Sequence, residues 1–406
     1  MKIRSLLLGS IAAAGLASSG YAADLGVITS LDVCDELGLS GLSISSDDNC
    51  LVITGNVSME YSIGDYAPGQ PITVFDIDGE AAALTVADAD GTTDSTLDID
   101  AWLKFVASAN SDFGKAEAHI KLLSENIATT PDPAVVLDEA YVKIGDTTVL
   151  MAGHKGSIYR DDNDKPLNYL GLFVSSKVDT GVGSSLAVAT GGNVIQLTSN
   201  LGNGLSIGGA IENLQTSSPA LITGVGVIGY DGDGIKAHAS GAIDQGGNWK
   251  SHAGFEGTWD PISVVGAVAA DSSGWWNALG SLSATFDMFT LAVSGEATAG
   301  NEWGIGGSIT AAVTDGVKVN LGSRYFDDPG NENAWQVEGG LEAAVTESIT
   351  LTAAVGAIDG DLSPTIFYGK AGAAWNPGGG FKSSIEGYVN TDGGYKGTFK
   401  ASKEIK

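Results

Sequence analysis

Apolar residues in this chain recur at every second position, segment after segment, and beyond the first two dozen residues no stretch keeps a 3.6-residue period. From Leu51 to Ile63 the odd positions read Leu51, Ile53, Gly55, Val57, Met59, Tyr61 and Ile63. The even positions read Val52, Thr54, Asn56, Ser58, Glu60 and Ser62. Leu97, Ile99, Ala101, Leu103 and Phe105 oppose Asp98, Asp100, Trp102 and Lys104, and Tyr395, Gly397, Phe399 and Ala401 oppose Lys396, Thr398, Lys400 and Ser402. Period two puts alternate side chains on opposite faces of a β-strand. The pattern therefore predicts an all-β fold with one apolar and one polar face throughout.

The segments run about 9 to 13 residues, the length of a tilted strand crossing a bilayer. Turn chemistry separates them, as at Asp231-Gly232-Asp233-Gly234, Asp260-Pro261, Asp315-Gly316 and Asn376-Pro377-Gly378. Aromatic residues fall at the segment ends. Tyr230, Trp259, Phe286, Phe289, Trp375 and Phe381 sit beside short turns, and Trp249, Trp276, Trp303, Tyr325 and Trp335 sit at the opposite ends. Two aromatic belts are expected where a transmembrane antiparallel β-barrel meets the two membrane interfaces, whereas a soluble sandwich places bulky rings mid-strand. Five strands precede residue 156 and thirteen follow residue 220, while residues 172–213 add none, two or four, for an even total of 18, 20 or 22.

Composition narrows the function. With 49 acidic and 20 basic residues the net charge is −29, which excludes a general nucleic-acid binder, because phosphate contacts need a basic face. At 43% hydrophobic the chain is too apolar for a disordered acidic segment. Lys2 and Arg4, the apolar run Leu6–Ala17 and the small residues of Gly20-Tyr21-Ala22 predict a signal peptide over 1–22, cleaved before Ala23. Its removal takes two positive charges and no acid, so −29 becomes −31. Export places Cys34 and Cys50 in an oxidising compartment, where a disulfide contributes about 3 kcal/mol by constraining the unfolded chain. The domains expected are the signal peptide, a disulfide-linked N-terminal segment over 23–49 and a barrel over 50–406.

Three places resemble the alphaproteobacterial general porin family: the opening Met1-Lys2-Ile3-Arg4-Ser5-Leu6-Leu7-Leu8-Gly9-Ser10, the cysteine segment Val33-Cys34-Asp35 through Cys50-Leu51-Val52-Ile53-Thr54-Gly55, and Leu137-Asp138-Glu139-Ala140-Tyr141-Val142-Lys143-Ile144-Gly145. The resemblance implies an outer-membrane homotrimer of usually 16-stranded barrels, each a water-filled pore that a third loop, folded inward, narrows. The chain departs from the family in its higher strand count and in its end, Glu404-Ile405-Lys406, where porins carry an aromatic residue.

The resemblance matches residues 156–171 to the constricting loop and makes Asp161, Asp162 and Asp164 the acidic side of its eyelet. Lys104, Lys115, His119, Lys121 and Lys143, on the polar faces of the second to fourth strands, make the basic side. Both sets also suit a solvated surface. Asp76, Asp78, Glu80, Asp88, Asp90 and Asp94 fall in a long first loop; their spacing fits a solvated loop better than a Ca²⁺ site, with divalent bridging to lipopolysaccharide as the alternative. No Gly-x-Ser-x-Gly elbow, His-Glu-x-x-His pair or Walker loop occurs, so neither an enzyme nor a cofactor is expected. The function expected is passive diffusion of small hydrophilic solutes and ions, with cations preferred. Its competitors are a secreted acidic adhesin and a barrel enzyme.

Overall fold

The computed structural model describes residues 42–46, 48–66, 72–76, 81–84, 91–128, 133–173, 181–215, 222–329, 333–360 and 363–406, together with Cys34 and Leu37. The expected signal peptide, most of the N-terminal segment and the acidic side chains from Asp76 to Asp90 lie outside the described residues.

The short β1 (Leu42–Ser45) and the long β2 (Cys50–Asp65) come first. A separate hairpin of β3 (Ile72–Asp76) and β4 (Ala81–Leu84) sits in the first loop. Then follow β5 (Asp94–Ser111), β6 (Gly114–Ser124), β7 (Val136–Ile144) and β8 (Thr148–Lys155). After a long connection come β9 (Gly192–Gly202), β10 (Leu205–Glu212), β11 (Thr223–Gly232), β12 (Ile235–Asp244), β13 (Trp249–Trp259) and β14 (Ile262–Asp271). The next five are β15 (Trp276–Phe286), β16 (Phe289–Thr298), β17 (Trp303–Thr314), β18 (Val317–Asp327) and β19 (Ala334–Ala344). The chain ends with β20 (Ile349–Gly360), β21 (Ser363–Gly378), β22 (Phe381–Asn390) and β23 (Tyr395–Ile405).

Every barrel strand is antiparallel to its sequence neighbour, and β23 closes on β2 from Gly55↔Ile405 to Asp65↔Tyr395. Twenty strands make the closed wall, not the 16 that the resemblance implies. The five early and thirteen late strands stand where the alternation puts them, and the uncertain stretch adds two, β9 and β10. β1 is the extra strand. It pairs with β2 at Leu42↔Ile53 through Ser45↔Cys50, on the same edge of β2 that β23 leaves open past Ile405. The Cys34–Cys50 disulfide forms as expected and ties the chain N-terminal to β1 onto the start of β2.

Tight turns follow from residues that tolerate positive φ. Asn203 and Gly204 (φ 51° and 80°) join β9 to β10, and Asp233 and Gly234 (φ 53° and 76°) join β11 to β12. Both central residues are left-handed, the geometry that matches the twist of paired strands.

The two faces of the wall differ as the alternation requires. The outward face is apolar and exposed, for example Leu103, Ile207, Val293, Leu321 and Val355. Trp249, Trp276, Trp303 and Trp335 line its long-loop rim, and Trp259, Phe286, Phe289 and Trp375 line its short-turn rim. Burying so much polar surface inward while leaving apolar side chains outward is unfavourable in water and favourable in lipid. The described residues thus form a transmembrane β-barrel.

Candidate functional site

The connection between β8 and β9, residues 156–191, is longer than the expected 156–171, and its described residues, 156–173 and 181–191, bind the polar face of the wall at many points. Both of its ends are held by one carboxylate. Glu212 of β10, fully buried, accepts from the Ile158 amide at 3.0 Å and the Gly191 amide at 2.7 Å, and Gln196 adds a third donor at 3.0 Å.

From there the chain runs crosswise to the strands. The Arg160 carbonyl accepts from Ser240 of β12. At β13 the backbone lies so close that a Cβ on Gly254 would stand 2.3 Å from the Asp162 carbonyl oxygen. Ser281 of β15 accepts from the Leu167 amide at 2.9 Å, Ser294 of β16 donates to Asn168 at 2.6 Å, and Ser308 of β17 accepts from the Tyr169 amide at 3.0 Å. Arg324 of β18 donates from Nη1 to the carbonyls of Leu170 and Leu172, each at 3.0 Å. On the way back Asn277 accepts from the Gly183 amide at 3.1 Å, Asp271 accepts from Ser184 and Ser185, and Thr223 donates to the Ala189 carbonyl at 2.7 Å.

Apolar contacts reinforce these bonds. Leu167, Leu172 and Val182 of the loop pack on Val265, Ala267 and Ala269 of β14 and Leu279 of β15. Ile158, Tyr159, Leu186 and Val188 pack on Ala210, Val225 and Ala242. An inward wall face normally meets water and is polar. Here β14, with the sequence Ile262-Ser263-Val264-Val265-Gly266-Ala267-Val268-Ala269, is largely apolar on both faces, because the loop covers the inner one and the outer one belongs to the lipid-facing surface.

The candidate acidic residues divide. Asp161 and Asp162 are exposed, whereas Asp164 is 3% exposed and turned to the wall, where its Oδ2 accepts from the Val182 amide at 3.0 Å. That places Asp164 among the groups that hold the loop and away from those that solvent meets. Its neighbour on the wall is a histidine pair that sequence spacing did not reveal. His238 Nε2 and His252 Nδ1 lie 2.9 Å apart with their rings parallel, Asp162 stands 3.3 Å from His238 and Asp164 stands 3.5 Å from His252. Arg160 grips Asp162 with two bonds of 3.0 Å. Burial alone would raise the Asp162 carboxyl, but the Arg160 hydrogen bonds and charge, with His238, bring it below the usual carboxylate range. Burial, then Asp161, pushes the Tyr159 hydroxyl up to about 12, and Lys250 lies 4.8 Å over its ring.

The candidate basic residues are brought together on β5 to β7, part of the wall where no described loop residue is bonded. Each has a carboxylate: Lys104–Glu139 at 3.0 Å, Lys115–Glu117 at 3.3 Å, His119–Glu117 at 2.7 Å, Lys121–Asp138 at 2.6 Å and Lys143–Glu117 at 2.8 Å. Lys104 and Lys121 stand directly opposite each other across two strands, a repulsive position that these carboxylates offset. The register shift after Lys121 frees Asp138 from strict alternation and lets it reach that lysine.

Sequence reasoning missed Glu212, His238, His252, Arg324 and Glu338. Apart from Arg324, their signal was present as inward-facing positions where polar alternation gives way to Val, Ala or Gly, beside isolated carboxylates. Among the described residues no group of three or more His, Cys, Asp or Glu side chains is placed to hold a metal ion.

No protein-family model matches the chain, and no curated protein matches it. Solved structures do align. A variant of the Rh. blastica porin aligns at a TM-score of 0.42 and 12% identity over 87% of this chain and 99% of that one. A loop-deletion mutant of OmpT, an outer membrane protein of Vibrio cholerae, aligns at 0.40 and 10% identity over 88% and 100%.

Proposed function

We propose that the chain is an outer-membrane porin, a water-filled channel for passive diffusion of small hydrophilic solutes and ions. The observation that carries this reading is the closed 20-stranded wall, apolar and aromatic-belted outside, whose polar inside seats a long loop. The loop is the inward-folded third loop and narrows the lumen by its own thickness. Its exposed carboxylates, Asp161 and Asp162, face the lumen from one side, and Lys104, Lys115, His119, Lys121 and Lys143 from the other. Glu117, Asp138 and Glu139 offset most of the charge of those four lysines, Glu117 being shared by Lys115, His119 and Lys143, so the acidic excess of the chain sets the field that a passing ion meets. The channel therefore prefers cations, and the preference falls as salt screens the charge. The signal peptide directs export, and the channel assembles as a homotrimer in contact with lipopolysaccharide.

Purified protein in a planar bilayer tests this. Conductance steps in groups of three and a reversal potential of cation sign in a KCl gradient are expected. A detergent-free soluble protein without conductance would support the adhesin instead, and a chloride preference would overturn the electrostatic part.

A further inference from the structure

We propose that Arg324 and Glu338 are positioning residues that pin the far end of the loop to the wall and so keep the pore open. This rests on the porin reading above. From Ile158, bonded at β10, to Leu170, bonded at β18, the loop advances twelve residues while the wall advances eight strands. Twelve residues at about 3.4 Å reach roughly 41 Å, and eight strands at about 4.8 Å span roughly 38 Å. The path runs inside this arc and is therefore shorter than it, turning at Asn163 (φ 58°) and over residues 168–171, so the stretch follows the wall only where wall groups hold it.

The near end is fixed by Glu212. The far end depends on a connected set of buried groups. Arg324, 5% exposed, donates to the Leu170 and Leu172 carbonyls, donates from Nε to Gln336 at 2.7 Å and lies 4.3 Å over the Phe173 ring. Glu338, 2% exposed, accepts at 2.6 Å from the Tyr169 hydroxyl of the loop and at 2.6 Å from Tyr368 of β21, with Lys370 at 3.1 Å. The wall is bare beneath this contact: a Cβ on Gly340 would stand 2.3 Å from the Tyr169 hydroxyl oxygen. Planar guanidinium and bidentate carboxylate geometry make both grips directional, and losing either leaves buried polar groups unpaired. With these grips lost, the loop end, residues 169–173, can lift off the wall, and the side away from the wall is the lumen.

Single-channel recording and liposome swelling, with uncharged polyethylene glycols as size probes, test this on the full-length protein. The variants are Arg324→Met, Glu338→Ala and the milder Tyr169→Phe, which changes only the loop and leaves the wall to fold. Retention of the folded barrel is read from the heat-dependent shift in its electrophoretic migration. The expected result is a folded barrel with a mean conductance about twofold lower, frequent brief closures and a smaller polyethylene glycol limit. Folded variants with wild-type conductance and size limit would overturn the proposal. So would a higher conductance, which would mean that the latch holds the loop in a constricting position. A silent wild-type protein would sink the porin reading and this inference together, whereas a conducting wild type with unaltered variants sinks this inference alone.

Discussion

The inner face of the barrel is built from different side chains on its two sides. Under the loop, β14 and β15 present Val265, Ala267, Ala269 and Leu279, and their neighbours present hydroxyls and amides that each meet a loop group. On β5 to β7 the same face presents Lys104, Lys115, Lys121 and Lys143 against Glu117, Asp138 and Glu139. On the open side charge is paired within reach of water, whereas under the loop the centre of the contact is apolar and the buried charges, Glu212, Asp271, Arg324 and Glu338, are each met by a loop donor or acceptor, as the cost of burying an unpaired charge requires. The covered side should therefore govern stability and the open side selectivity.

The sharpest way to break this comparison is a charge under the loop. Val265→Asp would place a carboxylate beneath Leu172 and Val182, with an expected loss of about 3–5 kcal/mol, the usual cost of an uncompensated buried charge. Thermal or urea unfolding in detergent would read it. The matching change on the open side, Lys143→Ala, should cost less than about 1 kcal/mol. Comparable losses from the two would end the distinction.

A steric wedge comes next. Gly254→Val adds atoms where even a Cβ meets the Asp162 carbonyl oxygen at 2.3 Å, so either the loop or β13 must move. Overpacking of this kind costs about 1–3 kcal/mol. Trypsin cleavage after Arg160 should accelerate in the folded barrel. Unaltered cleavage would mean that the wall, not the loop, gives way.

How far the sequence carried these distinctions differs between wall and loop. Strand positions and belts were legible because alternation and end-placed aromatics are local properties: Trp249 and Trp259 bound one strand, Trp276 and Phe286 another. The two strands after residue 190 were uncertain because Gly, Ser and Ala dilute the pattern up to Asn193. The acidic run of the loop was legible too, but its division was not. Which of Asp161, Asp162 and Asp164 faces water depends on His238 and His252, about 75 to 90 residues away in sequence and adjacent only once β12 and β13 pair. Arg324 had no local signal at all, since its loop carbonyl partners carry no side-chain identity.

On the open side the expected effects are on ions and not on folding. Glu139→Gln removes the carboxylate that Lys104 bonds at 3.0 Å and that Lys155 approaches at 4.0 Å. The reversal potential in a KCl gradient should move toward the anion value while the unfolding midpoint shifts by less than about 1 kcal/mol equivalent. A lost fold with unaltered selectivity would invert the comparison.

The smallest expected effect is that of Asp162, where covered and open sides meet. Its carboxyl is held below the usual range because the Arg160 bonds and charge, aided by His238, outweigh burial. A folded-state value below the unfolded one, about 3.9, means that the interaction contributes in full above that pH and is lost as pH falls through the folded value. At 57% exposure solvent screens it, so the barrel should stay folded and only the loop should loosen. Single-channel current noise should therefore be flat from neutral pH down to about 4 and rise below it. Asp162→Asn lacks the titrating group, so its noise should be raised at neutral pH, and the difference between the two proteins should narrow below about pH 4. A difference that persists unaltered into acid would show that Asp162 holds the loop by shape and not by charge.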